Sequence, residues 1–187
     1  MRYEDVKYQI DRIEGFMGSE AQREFMFNLA KVTRMAAEIG SYKGLSAAIV
    51  SLGMQAVNNT TARYYCIDSF ESSNEELNGE NTLEVFKQNM YIVKDTHTIP
   101  VVGFSYQLDV MRQIPEGLDW IYIDGDHKAE SVYTDTMTYI GKVKEGGLVF
   151  YHDYTWESVK EGIKMAITDG AIEKVSSFDD FGIFRKK

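Results

Sequence analysis

The sequence predicts an α/β fold in which helices cover both faces of a mostly parallel β-sheet. From residue 34 onward, short apolar runs alternate with segments of helical periodicity, and this alternation is typical of a parallel sheet. The runs are continuously apolar, which indicates strands that are buried on both faces. The last two runs are separated by Asp179-Asp180, a pair typical of turns, so they are expected to close the sheet as an antiparallel hairpin.

The chain is expected to begin with two helices. An amphipathic helix is predicted over residues 3–17, where four apolar side chains recur at helical spacing. These side chains are Val6, Ile10, Ile13 and Met17. Ser19 is the expected N-cap of the second helix. The residues expected to form the buried stripe of that helix are Phe25, Leu29 and Val32.

Strands and helices then alternate along the rest of the chain. The predicted strands are Met35–Ile39, Arg63–Ile67, Ile99–Val102, Leu118–Ile123 and Leu148–Tyr151. The predicted helices lie near residues 45–57, 80–90, 106–113, 128–141 and 155–168. The closing hairpin would pair Ala171–Ser176 with Phe181–Arg185. The sequence contains no linker and no internal repeat, so one domain over residues 1–187 is expected, with residues 1–20 as an N-terminal helix that could act as a substrate lid.

The composition limits the class of protein. The chain has 187 residues, of which 44% are apolar and 26% charged, as is ordinary for a globular domain with a sizeable core. The net charge of −9 disfavours a general nucleic-acid binder, which needs a basic face. The sequence lacks both a transmembrane stretch and a secretion-signal pattern, so we expect a cytoplasmic protein without a membrane partner. A single cysteine, Cys66, excludes an internal disulfide.

The turn after the first strand is a candidate ligand site, because ligands bind at the carboxyl ends of the strands in such sheets. Gly40 and Gly44 allow a tight turn and a close backbone approach to a ligand, and Ser46 adds a hydroxyl group. Their spacing matches neither the dinucleotide-binding G-x-G-x-x-G nor the phosphate-binding G-x-x-x-x-G-K-[ST], which disfavours NAD and ATP. Taken alone, the motif is interpreted equally well as two glycines at an ordinary strand–helix turn.

Weaker signals follow the second and third strands. Asp68 ends the second strand, where an acid is placed to accept hydrogen bonds from ribose hydroxyl groups. A solvated loop aspartate is the more ordinary interpretation of this residue by itself. Gly103 and Ser105 follow the third strand, where a small residue and a hydroxyl group could border an adenine ring.

The strongest signals follow the fourth and fifth strands. Asp124, Asp126 and His127 come directly after the fourth strand, and His152 and Asp153 come after the fifth. Because these strand ends can be neighbours, Asp124 and Asp153 could share one cation, with His152 as a third ligand or as the residue that orients Asp153. His127 could act as a base, because imidazole titrates near neutral pH. Two such clusters at successive strand ends favour a functional role over a structural one.

Together these motifs resemble those of class I S-adenosylmethionine (SAM)-dependent methyltransferases. More narrowly, the sequence resembles the small-molecule O-methyltransferases that include the macrocin and mycinamicin sugar methyltransferases, and it shares features with catechol O-methyltransferases. The resemblance covers about residues 20–187 and rests on the order and spacing of four motifs. These motifs are Glu38-x-Gly40-x-x-x-Gly44-x-Ser46, Asp68, Gly79-Glu80-Asn81-Thr82-Leu83-Glu84-x-Phe86, and the run from Ile123-Asp124-Gly125-Asp126-His127 through Gly146-Gly147-Leu148 to His152-Asp153-Tyr154.

The resemblance implies a Rossmann-like sheet of seven strands with an antiparallel last strand, and SAM as a cofactor lying across the first strand ends. It implies that the methionine part of SAM contacts the turn after the first strand, that Asp68 holds the ribose and that Ser105 lies by the adenine. The cofactor-binding residues it implies are Glu38, Gly40, Ser41, Gly44, Ser46, Asp68, Ser69, Ser105 and Asp124.

The resemblance also implies a divalent-metal site at Asp124, His152 and Asp153. Metal-dependent members of the group use Mg²⁺, but His152 replaces an acid, and an imidazole ligand would favour Mn²⁺, Fe²⁺ or Zn²⁺. His127 stands where catechol-type members carry a lysine base, so Asp124 and His127 are the expected catalytic residues. The implied reaction is an in-line methyl transfer to a hydroxyl group, whose pKa the cation lowers and whose proton His127 takes.

Other functions on the same fold remain alternatives. The sequence lacks the Pro-Pro-aromatic motif of enzymes that methylate exocyclic amines, and Cys66 follows Tyr65 rather than the proline that precedes the nucleophile of 5-methylcytosine enzymes. A small hydroxylated molecule is therefore the expected acceptor. An Fe-dependent oxygenase that uses His152 and Asp153, and a non-catalytic SAM-binding module, are the alternatives.

The chain leaves little sequence for a substrate lid beyond residues 1–20 and the loop over residues 69–82. The acceptor site is therefore expected to be open or to be completed by a second subunit, and a homodimer is predicted. Trp156 is expected to border the acceptor. His97, between two threonines, is expected to be a solvated loop residue.

Overall fold

The computed structural model describes residues 1–71 and 81–187. Its strands are β1 (Met35–Ile39), β2 (Arg63–Asp68), β3 (Thr98–Val102), β4 (Leu118–Ile123), β5 (Val143–Tyr151), β6 (Ile172–Phe178) and β7 (Phe181–Lys186). These seven strands form one sheet in the order β3-β2-β1-β4-β5-β7-β6. The first five strands pair in parallel, whereas β7 pairs antiparallel with both β5 and β6. The predicted fold class, with its antiparallel last strand, is confirmed.

Helices cover both faces of this sheet. They are α1 (Lys7–Ile10), α2 (Glu20–Ala30), α3 (Leu45–Gln55), α4 (Thr82–Ile92), α5 (Leu108–Gln113), α6 (Ala129–Tyr139) and α7 (Glu157–Thr168). Neighbouring residues of a strand join different buried clusters: Trp120 of β4 packs in the cluster with α2, α3 and α4, and Ile121 packs in the cluster with α5, α6 and α7. Burial on both faces explains why the strands are continuously apolar. Among the described residues, no helix is long and apolar enough to cross a bilayer.

The N-terminal segment differs from the prediction. The helix expected over residues 3–17 is limited to a 3₁₀ turn at Tyr3–Asp5 and the single turn of α1. Gly15 then has a φ of 154° and lies so close to α3 that a Cβ atom there would be 2.9 Å from the Cβ of Leu45. The helix ends early because the chain follows the surface of α3 at this contact. The four apolar side chains predicted to be buried are buried, so the periodicity identified the buried face but not the helix length.

The second helix begins where the sequence predicts. The Ser19 hydroxyl accepts a hydrogen bond from the Gln22 amide at 3.3 Å, and the Gln22 side chain accepts one from the Ser19 amide at 3.2 Å, which forms a capping box. The predicted stripe is only partly correct: Phe25 and Leu29 are half-buried, but Val32 lies beyond the end of α2 and is 79% exposed. The fully buried apolar residues of α2 are Met26, Phe27 and Ala30.

One edge of the sheet gathers the residues that follow the parallel strands. Backbone hydrogen bonds extend the pairing one residue beyond the strands: the Gly40 amide donates to β2 at 2.9 Å, the Asp124 amide to β1 at 2.9 Å and the His152 amide to β4 at 3.2 Å. β2 and β3 lie on one side of β1, whereas β4 and β5 lie on its other side. Open α/β sheets leave a crevice for a ligand at such a change in strand order.

Candidate active site

A cavity of about 780 Å³ opens at this edge, where the loops after β1, β2, β3 and β4 meet the first turns of α6. Its volume lies in the range of small-molecule sites. The predicted site residues that line it are Gly40, Asp68, Ser69, Ser105, Asp124 and His127. The predicted site residues outside its lining are Glu38, Ser41, Gly44, Ser46, His152 and Asp153.

The turn after β1 brings two backbone segments together. Gly40 has a φ of 91°, and a Cβ atom at this position would lie 1.9 Å from the carbonyl oxygen of Asp124. Gly44 has a φ of 84° at the N-cap position of α3, and a Cβ atom there would lie 2.6 Å from the ring of Phe86. Both positions therefore require glycine. Gly40 also borders the cavity, whereas Gly44 lies outside its lining.

Asp68 ties together the loops after β1 and β2. Its Oδ2 atom accepts a hydrogen bond from the Tyr42 amide at 2.7 Å, and its Oδ1 atom accepts one from the Phe70 amide at 2.7 Å. Tyr42 and Phe70 have φ angles of 46° and 55°, a strained region for such side chains. Each carboxylate oxygen can still accept a further hydrogen bond, so Asp68 can hold the loops and a ligand together.

Glu38 lies beneath the turn rather than on the cavity wall. It is fully buried and accepts a hydrogen bond from the Tyr64 hydroxyl at 2.7 Å. Burial raises the pKa of Glu38 to about 7, although the hydroxyl groups of Tyr64, Ser46 and Ser41 act in the opposite direction. Glu38 and Ser46 therefore lie beside one another beneath the turn, outside the lining of the cavity.

A carboxylate that the sequence analysis did not select lines the cavity beside Ser105. The Ser105 hydroxyl donates to Oδ1 of Asp135 at 2.5 Å, and the Tyr139 hydroxyl donates to the Ser105 carbonyl oxygen at 2.8 Å. Asp135 is 6% exposed. Burial raises the pKa of Asp135 to about 6, against the hydrogen bond from Ser105 and with help from the charge of Asp126. The signal that could have identified Asp135 is an acid at a buried position of α6, next to Thr136.

The polar residues predicted after β4 and β5 do converge. Asp124, His152 and Asp153 each offer one ligand atom, and these atoms all lie within 4.8 Å of one another. Nδ1 of His152 is 3.3 Å from Oδ1 of Asp124 and 3.0 Å from Oδ2 of Asp153. Burial alone would lower the pKa of His152, but the carboxylates of Asp124 and Asp153 raise it to about 9.

This donor set suits a divalent cation. It combines two carboxylates with an imidazole, and both ring nitrogens of His152 are buried without a well-aligned hydrogen-bond partner among the described residues. Buried polar atoms are normally satisfied, so a group that the protein chain does not supply is expected to complete this site. Oxygen and imidazole ligands are compatible with Mg²⁺, Mn²⁺, Fe²⁺ or Zn²⁺.

Aromatic side chains flank this cluster. His127 joins it through Nε2, which lies 2.6 Å from Oδ2 of Asp153. The Trp156 ring lies over the ring of His127 at 4.8 Å, and Trp156 is 52% exposed. Phe16, from the N-terminal segment, directs its 76% exposed ring at the ring of His152 at 6.3 Å. The cluster therefore has an apolar rim suited to an organic ligand.

With this geometry established, comparison with known families identifies the chain. A sequence model described as "Methyltransferase domain" matches residues 37–154. The chain belongs to this methyltransferase family. The matched range begins within β1 and extends beyond the end of β5, so it includes every strand end that contributes to the cavity and to the His–Asp cluster.

A curated relative and several solved structures are similar to this methyltransferase. The uncharacterized protein R132 of Acanthamoeba polyphaga mimivirus is 26% identical over 148 residues, which cover 75% of this chain. The chain spans 62% of the length of that relative.

Among solved structures, the O-methyltransferase from Bacillus cereus in complex with SAH (S-adenosylhomocysteine) has a TM-score of 0.68 at 14% identity, with 98% of this chain and 90% of that chain covered. SAH-bound PaMTH1, a methyltransferase from Podospora anserina, has a TM-score of 0.71 at 14% identity, covering 98% and 86%. TomG, an O-methyltransferase from Streptomyces achromogenes in complex with SAM, has a TM-score of 0.68 at 14% identity, covering 97% and 86%. At these identities the similarity shows the fold.

Parts of two sequence predictions for this methyltransferase lie outside the described residues. The motif that starts at Gly79 and the loop over residues 69–82 both include residues between 72 and 80. The described end of the motif has a structural role, because the Asn81 side chain caps α4 by accepting a hydrogen bond from the Leu83 amide at 3.0 Å. The sequence analysis did not select Phe16 or Asp135 as site residues. The helical spacing of the N-terminal segment identifies only the side chains that are buried, and Phe16 is exposed.

Proposed function

We propose that the chain is a SAM-dependent methyltransferase that transfers a methyl group to a hydroxyl group of a small molecule, with help from a divalent cation. One observation carries the proposal: a cavity with Asp68 on one wall meets a cluster of two carboxylates and two imidazoles at the crevice of the sheet. The O-methyltransferases of Bacillus cereus and Streptomyces achromogenes, which share the fold, were solved with SAH and SAM.

The cofactor would lie along the cavity wall formed by the ends of β1, β2 and β3. Asp68 would accept hydrogen bonds from the ribose hydroxyl groups, with Ser69 beside it, and the backbone around Gly40 would approach the methionine part closely because no side chain intervenes. Ser105 would lie towards the base. Bound SAM would supply an electrophilic methyl group, so the protein has to align the acceptor oxygen with it. Alignment of this kind can lower a barrier by roughly 7–11 kcal/mol.

Asp124, His152 and Asp153 would hold the cation. A bound divalent cation lowers the pKa of a hydroxyl group that it contacts. His127 would take the hydroxyl proton: its Nε2 is anchored on Asp153 at 2.6 Å, so Nδ1 is the nitrogen left to accept a proton. General-base assistance of this kind typically contributes about 10²–10⁴-fold to the rate.

The acceptor would lie against the exposed rings of Phe16 and Trp156, next to the cation ligands. This rim suits a small molecule whose hydroxyl group is carried on a flat or weakly polar ring, as in the sugar and catechol O-methyltransferases that the sequence resembles. The Fe-dependent oxygenase and the non-catalytic module are not favoured, because the family match is to methyltransferases and the ligand residues are present. The single-domain organisation, the homodimer and the cytoplasmic location remain predictions.

Calorimetric titration of SAH into the purified protein tests the proposal. We expect micromolar binding by the wild type and roughly 100-fold weaker binding by Asp68→Ala, because two cofactor hydrogen bonds to a charged group are lost. Since Asp68 also holds the Tyr42 and Phe70 amides, the thermal unfolding of each variant is measured in parallel. Glu71→Ala, which removes an exposed acid from the same cavity wall, is the control and should bind SAH normally. Absence of SAH binding by the wild type would contradict the proposal.

A further inference from the structure

The loop between β5 and α7 carries two of the three proposed cation ligands, His152 and Asp153. Asp153 has a φ of 50°, in the left-handed region that residues other than glycine rarely occupy. With this backbone its Oδ2 atom lies 2.6 Å from Nε2 of His127 and 3.0 Å from Nδ1 of His152. Such a conformation persists only where the surrounding structure holds it, so the contacts of the residues that follow Asp153 matter to the site.

One residue of the β6–β7 turn, Asp180, binds the two residues directly after Asp153. The Asp180 carbonyl oxygen accepts a hydrogen bond from the Tyr154 amide at 3.1 Å. Oδ1 of Asp180 accepts two more, from the Thr155 amide at 2.7 Å and from the Thr155 hydroxyl at 2.5 Å. Hydrogen bonds to a carboxylate are roughly twice as strong as those between neutral groups, so Thr155 is the most firmly held residue of this loop.

Two further contacts leave the loop little freedom. The Trp156 amide donates to the Asp153 carbonyl oxygen at 2.9 Å, which closes a turn around Tyr154 and Thr155. The hairpin also packs closely on the loop, because a Cβ atom at Gly182 would lie 2.9 Å from the ring of Tyr154. The backbone of Asp153 is therefore fixed by its own turn and by the hairpin together.

We infer that Asp180 is a positioning residue of the cation site: its carboxylate holds Thr155, and thereby keeps Asp153 in the conformation that directs Oδ2 at the other ligands. The inference rests on the proposed function, since it names a residue that sets the cation affinity of the proposed site. Among the described residues the group of possible ligands is Asp124, His152 and Asp153, so Asp180 acts through Asp153. The sequence analysis interpreted Asp180 only as a turn residue.

The test is calorimetric titration of Mn²⁺ into the wild type, Asp180→Ala and Asp180→Asn. Alanine removes both hydrogen bonds to Oδ1, and we expect the Mn²⁺ affinity to fall about 10–100-fold, as is typical when the support of a metal ligand is lost. Asparagine keeps a carbonyl oxygen that can accept both bonds, so its Mn²⁺ affinity should stay within about twofold of the wild type. Equal losses in the two variants would show that the charge of Asp180 matters and not its hold on Thr155, and would overturn the inference.

Asp179→Ala is the matched control. Asp179 precedes Asp180 in the same turn, but its Oδ2 atom accepts the Ser19 hydroxyl at 2.6 Å instead of binding the loop after β5. This variant should bind Mn²⁺ as the wild type does. The SAH affinity should be unchanged in all of these proteins, because neither aspartate lines the cofactor cavity. A parallel loss of SAH affinity in Asp180→Ala would show a general structural defect and would contradict a role confined to the cation site.

Thr155 provides a test that remains if Asp180→Ala does not fold. Thr155→Val removes the hydroxyl that donates to Asp180 and should lower the Mn²⁺ affinity about fivefold, whereas Thr155→Ser keeps the hydroxyl and should bind Mn²⁺ normally. An unchanged Mn²⁺ affinity in Thr155→Val, or in a folded Asp180→Ala protein, would overturn the inference and leave the proposed function intact. If the wild type itself binds no Mn²⁺, the proposed cation site fails and this inference fails with it.

Discussion

Nε2 of His127 lies 2.6 Å from Oδ2 of Asp153, and the same oxygen lies 3.0 Å from Nδ1 of His152. One carboxylate oxygen thus joins the loop after β4 to the residue that follows β5. Asp153 holds this position with a φ of 50°, a conformation that aspartate tolerates better than most residues but that still stores strain. Asp153 is therefore the residue through which the proposed base and the proposed cation site are connected.

Asp153→Asn should weaken cation binding and leave cofactor binding intact. The amide keeps the size and backbone preference of aspartate but removes the charge that a divalent cation requires. We expect the Mn²⁺ affinity, measured by calorimetry, to fall at least about tenfold, with the SAH affinity unchanged. Asp179→Asn is the control, because Asp179 also has a positive φ, of 47°, but lies in the β6–β7 turn. Equal Mn²⁺ binding by wild type and Asp153→Asn would contradict the proposed cation site.

Phe16→Ala should weaken binding of the acceptor and leave binding of the cofactor unchanged. The Phe16 ring is 76% exposed and contacts His152, so its loss removes an apolar wall next to the cluster at little cost in stability. We expect the KM for the acceptor identified by screening to rise about tenfold, the size of effect of a lost aromatic contact, with the dissociation constant of SAH unchanged. Tyr8→Ala, an exposed aromatic of the same segment, should change neither value. If the KM is unaffected by Phe16→Ala, the acceptor lies elsewhere.

Ionisation of Glu38 should lower the free energy of unfolding as the pH rises. Its pKa is about 7 in the folded protein, because of burial, against an ordinary value of 4.5. The folded state therefore binds this proton more tightly than the unfolded state, and the stabilisation is fully present below about pH 4.5 and lost as the pH rises towards about 7. A shift of this size corresponds to about 3 kcal/mol over that window.

Glu38→Gln isolates this effect, because glutamine cannot titrate and all other ionisable groups stay the same. Urea unfolding at about pH 5 and about pH 8 should show a smaller loss of unfolding free energy with rising pH in Glu38→Gln than in the wild type. The groups that face this carboxyl are the hydroxyl groups of Tyr64, Ser41 and Ser46 and, at longer range, the charge of Asp124. Parallel pH profiles for the two proteins would show that Glu38 is not the titrating group.

Gly40→Ala should destabilise the protein far more than alanine at another glycine of positive φ. At Gly40 an added Cβ atom would lie 1.9 Å from the Asp124 carbonyl oxygen, so backbone has to move, whereas Gly170, with a φ of 75°, has no atom within 4 Å of such a Cβ. We expect a loss of at least about 2 kcal/mol in unfolding free energy at Gly40 and about 1 kcal/mol at Gly170. SAH binding should be lost only at Gly40. Similar losses of unfolding free energy at both positions would show that the positive φ angle, and not the contact with Asp124, causes the destabilisation.

Much of the site could be predicted because parallel strands end at one edge of the sheet. The order of strands along the chain placed Asp68, Asp124, His152 and Asp153 at such ends, and the structure gathers them there. His97 illustrates the opposite case: expected to be solvated, it is buried, with Nε2 2.9 Å from the Asn59 carbonyl oxygen. Nothing in the residues next to a histidine indicates a partner that lies far away in sequence.

The sequence alone determined the fold class, the strand order along the chain and the residues at the strand ends, because hydrophobic periodicity and turn residues are local properties. Only the tertiary structure decided that Phe16 borders His152, that Asp135 faces the cavity beside Ser105, and that the N-terminal helix stops after one turn. Each of these depends on contacts between residues far apart in sequence. Such contacts form only once the helices pack on the sheet, and no local pattern encodes them.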